Sequence, residues 1–276
     1  MPTYANARRD AAPRAKKRLG QHFLNDEGVI RSIIQRFALR PDSRVVEIGP
    51  GTGAITASLL DAGVHLTAVE FDRDMHVVLK QRFAGNPRFE LIEDDILNTS
   101  ITALAADGRL RIIGNLPYNI ASAIVFHLLD SLDVIDDMYL MLQKEVADRI
   151  ASTPGGRTYG KPSVLIQRYC TAEVDFLIPP TAFTPPPRVM SAMLRLRPRD
   201  QPLGGVIDGQ RLNRIVSAAF AKRRKTLRNA LKELAGPSAF ERAEIDPARR
   251  AETLSVEDFV RLTRAIELVD GPLTDS

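Results

Sequence analysis

From residue 44 to about residue 170, short apolar runs alternate with segments of helical length and spacing. Arg44–Gly49, His65–Glu70, Phe89–Ile92, Leu110–Gly114 and Met138–Leu142 read as buried strands, with helices expected over 54–62, 73–84 and 122–130. Strands joined in this way are parallel, because a tight turn reverses the chain and only a crossover helix returns it to the same sense. The pattern therefore requires βαβ units and an open sheet covered on both faces. Two further runs, 172–178 and 190–197, have no long helix between them and are expected to pair antiparallel at one edge. The fold class is α/β with a Rossmann-like, mostly parallel sheet.

The alternation stops at Arg197-Pro-Arg-Asp-Gln-Pro-Leu-Gly-Gly205, where prolines and glycines suit neither strand nor helix. Beyond this linker the signals are helical only. Leu212, Ile215, Val216, Ala219 and Phe220 fall on one helical face, Leu227, Leu231 and Leu234 continue the spacing, and Ser255 with Asp258 marks a capped helix start. Three parts are expected: a basic segment 1–20, an α/β domain 21–198 and a small all-helical domain 206–276.

Net charge is +4, but it is unevenly placed. Residues 1–20 carry +5 and residues 211–235 carry +7, so the rest of the chain is acidic. Lys222, Arg223, Arg224, Lys225, Arg228 and Lys232 crowd eleven positions without an acid among them. Read as one helix, 224, 228 and 232 form a row apart from the leucines, which suits a polyanionic partner. The single cysteine, Cys170, excludes a disulfide framework or a multi-thiolate zinc site, reads as a small buried hydrophobe, and fits a reducing cytoplasm. The N-terminus lacks the apolar core of a secretory signal, and no apolar run approaches the roughly 20 residues of a membrane span. His65, His76 and His127 are scattered without metal-ligand spacing, so no metal is expected.

Glu47-Ile-Gly-Pro-Gly-Thr-Gly53 lies where the first strand turns into the first helix. Glycines here permit a tight turn and let backbone approach a ligand. The spacing lacks the third glycine of a dinucleotide fingerprint, which disfavours a dehydrogenase. Glu70 ends the second strand, nineteen residues after Gly51, where a carboxylate accepts hydrogen bonds from ribose hydroxyls. Asp95 follows the third strand, so all three features meet at the carboxyl edge of the sheet, pointing to a nucleoside-containing cofactor.

Gly114-Asn-Leu-Pro-Tyr-Asn119 follows the fourth strand. The lone pair of an exocyclic base amine is delocalised into its ring, so a site that alkylates it must accept its N–H groups and turn the nitrogen toward tetrahedral geometry. Asn115 offers a side-chain carbonyl, Leu116 a backbone carbonyl stiffened by Pro117, and Tyr118 a stacking face.

The chain resembles the small-subunit ribosomal RNA adenine N6,N6-dimethyltransferases, within the class I S-adenosyl-L-methionine (SAM) methyltransferases. The resemblance rests on Lys17–Asn25, Val46–Gly51, Asn115–Ile120, Phe183–Val189 and Arg223–Asn229, in that order along the chain. It implies cofactor contacts from His22, Leu24, Gly49, Gly51, Glu70, Asp95 and Asn115. It further implies that Phe183 and Tyr118 sandwich the target base, with Leu116 and Pro117 completing the catalytic turn, and that the helical end with its basic cluster contacts RNA.

The expected activity is SAM-dependent dimethylation of two adjacent adenosines near the 3′ end of small-subunit rRNA by a cytoplasmic monomer, with no membrane association. Two alternatives stay open. A large-subunit adenine methyltransferase of the antibiotic-resistance type shares the fold, although Asn115–Asn119 and Phe183–Pro187 favour the small-subunit branch. A non-catalytic ribosome assembly factor need not keep both Asn115 and Tyr118.

Overall fold

The apolar runs become strands and the amphipathic segments between them become helices. In the computed structural model, residues 21–106, 108–222 and 224–270 are described; the basic segment 1–20 and Arg223 lie outside them. A short strand β1 (Phe23–Leu24) precedes α1 (Glu27–Phe37). Then come β2 (Arg44–Ile48), α2 (Ala54–Asp61), β3 (His65–Val69), α3 (Arg73–Arg82), β4 (Phe89–Ile92), α4 (Ile101–Ala105), β5 (Leu110–Asn115), α5 (Ala121–Leu129) and β6 (Ile135–Gln143). After α6 (Lys144–Ala151) and α7 (Lys161–Gln167), β7 (Cys170–Ile178), β8 (Phe183–Thr184) and β9 (Ser191–Pro198) complete the strands. Helices α8 (Gly209–Ala221), α9 (Leu227–Ala230), α10 (Pro237–Ala243) and α11 (Val256–Asp270) follow.

Seven strands form one sheet in the order β4-β3-β2-β5-β6-β9-β7. Strands β2 to β6 are parallel where they pair, and β9 runs antiparallel to β6, with Gln143 opposite Ser191. Val45, Val46, Ile48, Ile112 and Ile113 are nearly inaccessible, as strands covered on both faces require. The chain winds outward from β2 to β4, then returns to place β5 on the other side of β2. That reversal opens a crevice at the carboxyl ends of β2 and β5, the position where open α/β sheets bind ligands.

Helix α1 is capped at its start and fastened to the sheet at its end. Asp26 caps its start, accepting from Val29 N at 2.9 Å. At its end, Arg111 donates to Phe37 O (2.6 Å) and Ala38 O (3.0 Å), and Arg195 donates to Arg36 O (2.6 Å). Both guanidiniums meet the buried Asp137, Arg111 at 2.7 and 2.9 Å and Arg195 at 3.2 Å. Two arginines thus satisfy carbonyls that a helix end leaves unpaired, and Asp137, with Asp175 3.8 Å from Arg195, compensates their charge.

The chain divides into two compact units, Met1–Ala147 with Glu173–Pro198, and Asp148–Ala172 with Arg199–Ser276. Residues 148–172 group with the C-terminal helices and 173–198 with the rest of the sheet. The link is visible in backbone bonds: Arg199 N donates to Tyr169 O, Leu203 N to Arg168 O, and Gly155 N to Glu252 O. Such bonds span long stretches of sequence and leave no local signature.

In the second unit, α8 buries Leu212, Ile215, Val216 and Ala219, the face expected from spacing. Ser255 and Asp258 form a reciprocal cap at the start of α11, with Asp258 N donating to Ser255 Oγ (3.0 Å) and Ser255 N to Asp258 Oδ2 (3.1 Å). The single basic helix is not formed. Helix α8 ends at Ala221, a turn closes with Lys225 N donating to Lys222 O, and α9 holds only four residues. Consecutive cations one turn apart repel on a helix. In addition, Leu227 N and Arg228 N are claimed by Arg249 O and Pro247 O. Arg224, Arg228 and Lys232 therefore do not form one helical row. Segregation survives nonetheless: Leu227 and Leu231 are fully buried, while Lys222, Arg224, Lys225, Arg228 and Lys232 are exposed.

Candidate active site

The glycine turn after β2 is built on positive backbone angles. Gly51 has φ 57°, a conformation that strains any other L-residue, and a Cβ there would stand 3.1 Å from the Phe23 ring. At Gly114 the constraint is steric, since a Cβ would meet Ile48 O at 2.6 Å where β2 and β5 lie side by side. Substitution at either position therefore distorts the crevice.

Glu70 ties this turn to the end of β3. Its carboxylate accepts from Gly51 N at 3.0 Å and from Asp72 N at 2.8 Å. Burial pushes the Glu70 carboxyl above the usual carboxylate range, against the two backbone bonds, which favour the charged form. Glu47, deeper in β2, is pushed up to about 7 by burial, even though Thr56 Oγ1 donates to it at 2.6 Å. Phe71, between Glu70 and Asp72, is 61% exposed. An exposed aromatic beside a strand-end acid offers a flat face to a ring, and sequence reading passed over it.

Residues before β1 cross this edge of the sheet. Gln21 Nε2 donates to Asp72 Oδ2 at 2.7 Å, beyond β3, and Asn115 Nδ2 donates to His22 O at 3.0 Å, at the end of β5. Since β2 lies between those strands, residues 21 and 22 bridge over its glycine turn. The bond to His22 O uses the Asn115 amide nitrogen and leaves Oδ1 as the acceptor of that side chain. His22, Gly49, Gly51, Glu70 and Asn115 are thus brought together.

Tyr118 is half-buried and doubly held. Its hydroxyl lies 2.7 Å from Ser191 Oγ, and the His22 ring stacks on it with centroids 5.5 Å apart and planes 28° apart. Burial raises the Tyr118 phenol above its ordinary range, against the Ser191 bond. His22 Nδ1 donates to Pro185 O at 2.7 Å; a carbonyl only accepts, so the proton sits on Nδ1. Leu116 is buried, and its N–H donates to Met141 O, which stiffens the turn before Pro117.

Two expected positions have buried side chains. Phe183 is 2% exposed and belongs to the core with Ile178, Ala182 and Met193. Leu24 is likewise buried, paired with Phe183 in the β1–β8 ladder, which leaves only its backbone for a ligand. Both residues are apolar and alternate into the core, as a two-residue ladder against a packed sheet dictates. Asp95 is partly exposed at the end of β4 and accepts from Leu97 N at 3.0 Å, stabilising its own turn. Two cavities, of about 470 and 460 Å³, open among residues at the starts of the strands, including Arg111 and Asp137 in one and Arg44 and His65 in the other. None of the expected site residues lines either cavity.

A family model described as ribosomal RNA adenine dimethylase matches residues 12–268, nearly the whole chain. The chain belongs to the ribosomal RNA adenine dimethylase family. Among its relatives, the ribosomal RNA small subunit methyltransferase A of Xanthomonas oryzae is 49% identical over 248 residues, covering 90% of this chain and 95% of that protein. Its Pseudomonas aeruginosa counterpart is 45% identical over 259 residues, covering 94% and 97%. Among solved structures, the 23S rRNA methyltransferase ErmE is 26% identical with a TM-score of 0.69, covering 89% of this chain and 99% of that one. A dimethyladenosine transferase from Plasmodium falciparum shares the fold with a TM-score of 0.76, covering 87% and 96% at 23% identity.

Proposed function

We propose that this protein transfers methyl groups from SAM to N6 of two neighbouring adenosines near the 3′ end of small-subunit rRNA, two methyl groups to each nitrogen. One observation carries the reading: Asn115 and Tyr118 are fixed beside the glycine turn and Glu70, so that cofactor and target amine share one crevice edge. Relatives at 45–49% identity bear small-subunit names, whereas the large-subunit enzyme stands at 26%, which supports the small-subunit branch.

The residues fit the cofactor. Gly49 and Gly51 leave room above the turn that a Cβ would occupy, Glu70 offers a carboxylate for the ribose hydroxyls, and Phe71 and Asp95 supply a face and an acceptor for the adenine. When bound, SAM supplies a methyl group on a sulfonium, already an excellent leaving group. The protein therefore needs to orient the amine more than to deprotonate it. Asn115 Oδ1 and the Leu116 carbonyl accept the amine N–H groups and turn its lone pair out of the ring plane. Tyr118 holds the base by stacking, with Ser191 and His22 fixing its ring. Water takes the proton after transfer. Offered labelled SAM, the protein should methylate small but not large ribosomal subunits; the reverse preference would assign it to the other branch.

Glu70→Ala should weaken SAM binding by about 1.5–3 kcal/mol, the range for hydrogen bonds to a charged group, with folding largely retained. Calorimetric affinity equal to wild type would remove Glu70 from the cofactor site.

The basic cluster of the second unit is proposed to bind RNA phosphates. Each neutralised phosphate releases a counterion, so the log–log salt slope of particle binding should fall by roughly 0.7–0.9 for each phosphate left without its cation. Arg224→Ala, Arg228→Ala and Lys232→Ala together should weaken and flatten that dependence while sparing SAM affinity. Parallel lines of equal height for variant and wild type would mean that these exposed charges do not touch RNA.

A further inference from the structure

Ser191 is fully buried, yet its hydroxyl is directed to the one residue of the site expected to carry the base. It is the first residue of β9 and is paired with Gln143, the last of β6, while the neighbouring Met190 O accepts from Lys144 N at 2.9 Å. Backbone on both sides of Ser191 is therefore pinned, and the hydroxyl is a fixed point. The Tyr118 hydroxyl meets it at 2.7 Å, whereas the Tyr118 backbone belongs to a turn between β5 and α5. A turn residue with two side-chain torsions has no rigid element to set its ring. Here the hydroxyl end is anchored to the sheet and one face rests on His22.

We propose that Ser191 is a positioning residue for methyl transfer, setting the plane of Tyr118 so that its ring is ready to receive the target adenine. Phe183 does not perform this service, since its side chain lies in the core. Ordering the ring before RNA arrives removes an entropic cost from base capture, so the effect belongs to RNA use and not to cofactor affinity. Removing the serine hydroxyl strands the partly buried phenol without its partner and lets the ring leave the stacking plane.

This inference rests on Tyr118 being the base platform, and a double-mutant cycle separates the two ideas. Ser191→Ala, Tyr118→Phe and the double variant are compared with wild type for RNA KM, kcat, S-adenosylhomocysteine affinity and thermal midpoint. Each single change should raise RNA KM roughly tenfold, the equivalent of about 1.4 kcal/mol, leaving cofactor affinity within twofold. The double variant should be no worse than either single one, because both remove the same bond. Tyr118→Phe keeps the stacking ring and packs in the same volume, so it reports even if Ser191→Ala folds poorly. Wild-type RNA KM in both single variants, or effects that multiply in the double, would overturn the positioning role. Tyr118→Ala with wild-type methyl transfer would instead overturn the base-platform reading itself.

Discussion

Asn115→Ala should lower methyl transfer by roughly a hundredfold, the scale expected when a reacting group is released from its near-attack placement. The side chain makes two separable contributions. Its Nδ2 donates to His22 O at 3.0 Å and so holds the segment that bridges the glycine turn. Its Oδ1 is the acceptor proposed for the target amine. Alanine removes both, so SAM affinity should fall as well, by a smaller factor. Asn115→Asp separates the roles, because a carboxylate still accepts from the amine but cannot donate to His22 O. If Asn115→Ala leaves single-turnover rates with saturating SAM unchanged, the amine is oriented by something other than the Asn115 side chain.

The second large effect concerns stability. Asp137→Ala should destabilise the protein by about 3–5 kcal/mol, as when one partner of a buried ion pair is removed. Asp137 compensates Arg111 and Arg195, both largely buried, and those two guanidiniums cap the carbonyls ending α1. Without Asp137, Arg111 loses its carboxylate partner and Arg195 keeps only the longer contact to Asp175 at 3.8 Å. Because α1 follows directly on β1, loosening its far end should also relax His22 and the bridge over the glycine turn. The denaturant midpoint should fall with an unchanged slope, and SAM affinity should fall with it. A midpoint equal to wild type would mean that the arginines find water in place of Asp137.

Much of this architecture was legible in the sequence because it depends on local periodicity. The five parallel strands and helices α2, α3 and α5 lie within a few residues of their expected limits, since buried strands and amphipathic helices are written in short windows. The glycine turn, Glu70 and the Asn-Leu-Pro-Tyr turn were equally visible, each being a departure from the apolar pattern at a strand end. What escaped depends on tertiary context. Ser191 is one serine at the start of an apolar strand, and only the pairing of β9 with β6 brings it to Tyr118. Burial of Phe183 and Leu24 follows from a two-residue ladder with no periodicity to read. Assignment of 148–172 to the second unit follows from backbone bonds spanning tens of residues or more. The basic stretch was read as one helix because its leucines keep helical spacing. Charge repulsion and the tertiary claims on Leu227 N and Arg228 N divide it.

Mapping the transferred label distinguishes dimethylation of adjacent small-subunit adenosines from methyl transfer to any other site. Small subunits from cells lacking the modification, incubated with the protein and methyl-labelled SAM, are digested and their labelled nucleotides identified. N6,N6-dimethyladenosine should appear at two neighbouring positions near the 3′ end, approaching four methyl groups per subunit. Label on a large-subunit adenosine, on another atom of the base, or on neither subunit would contradict that assignment.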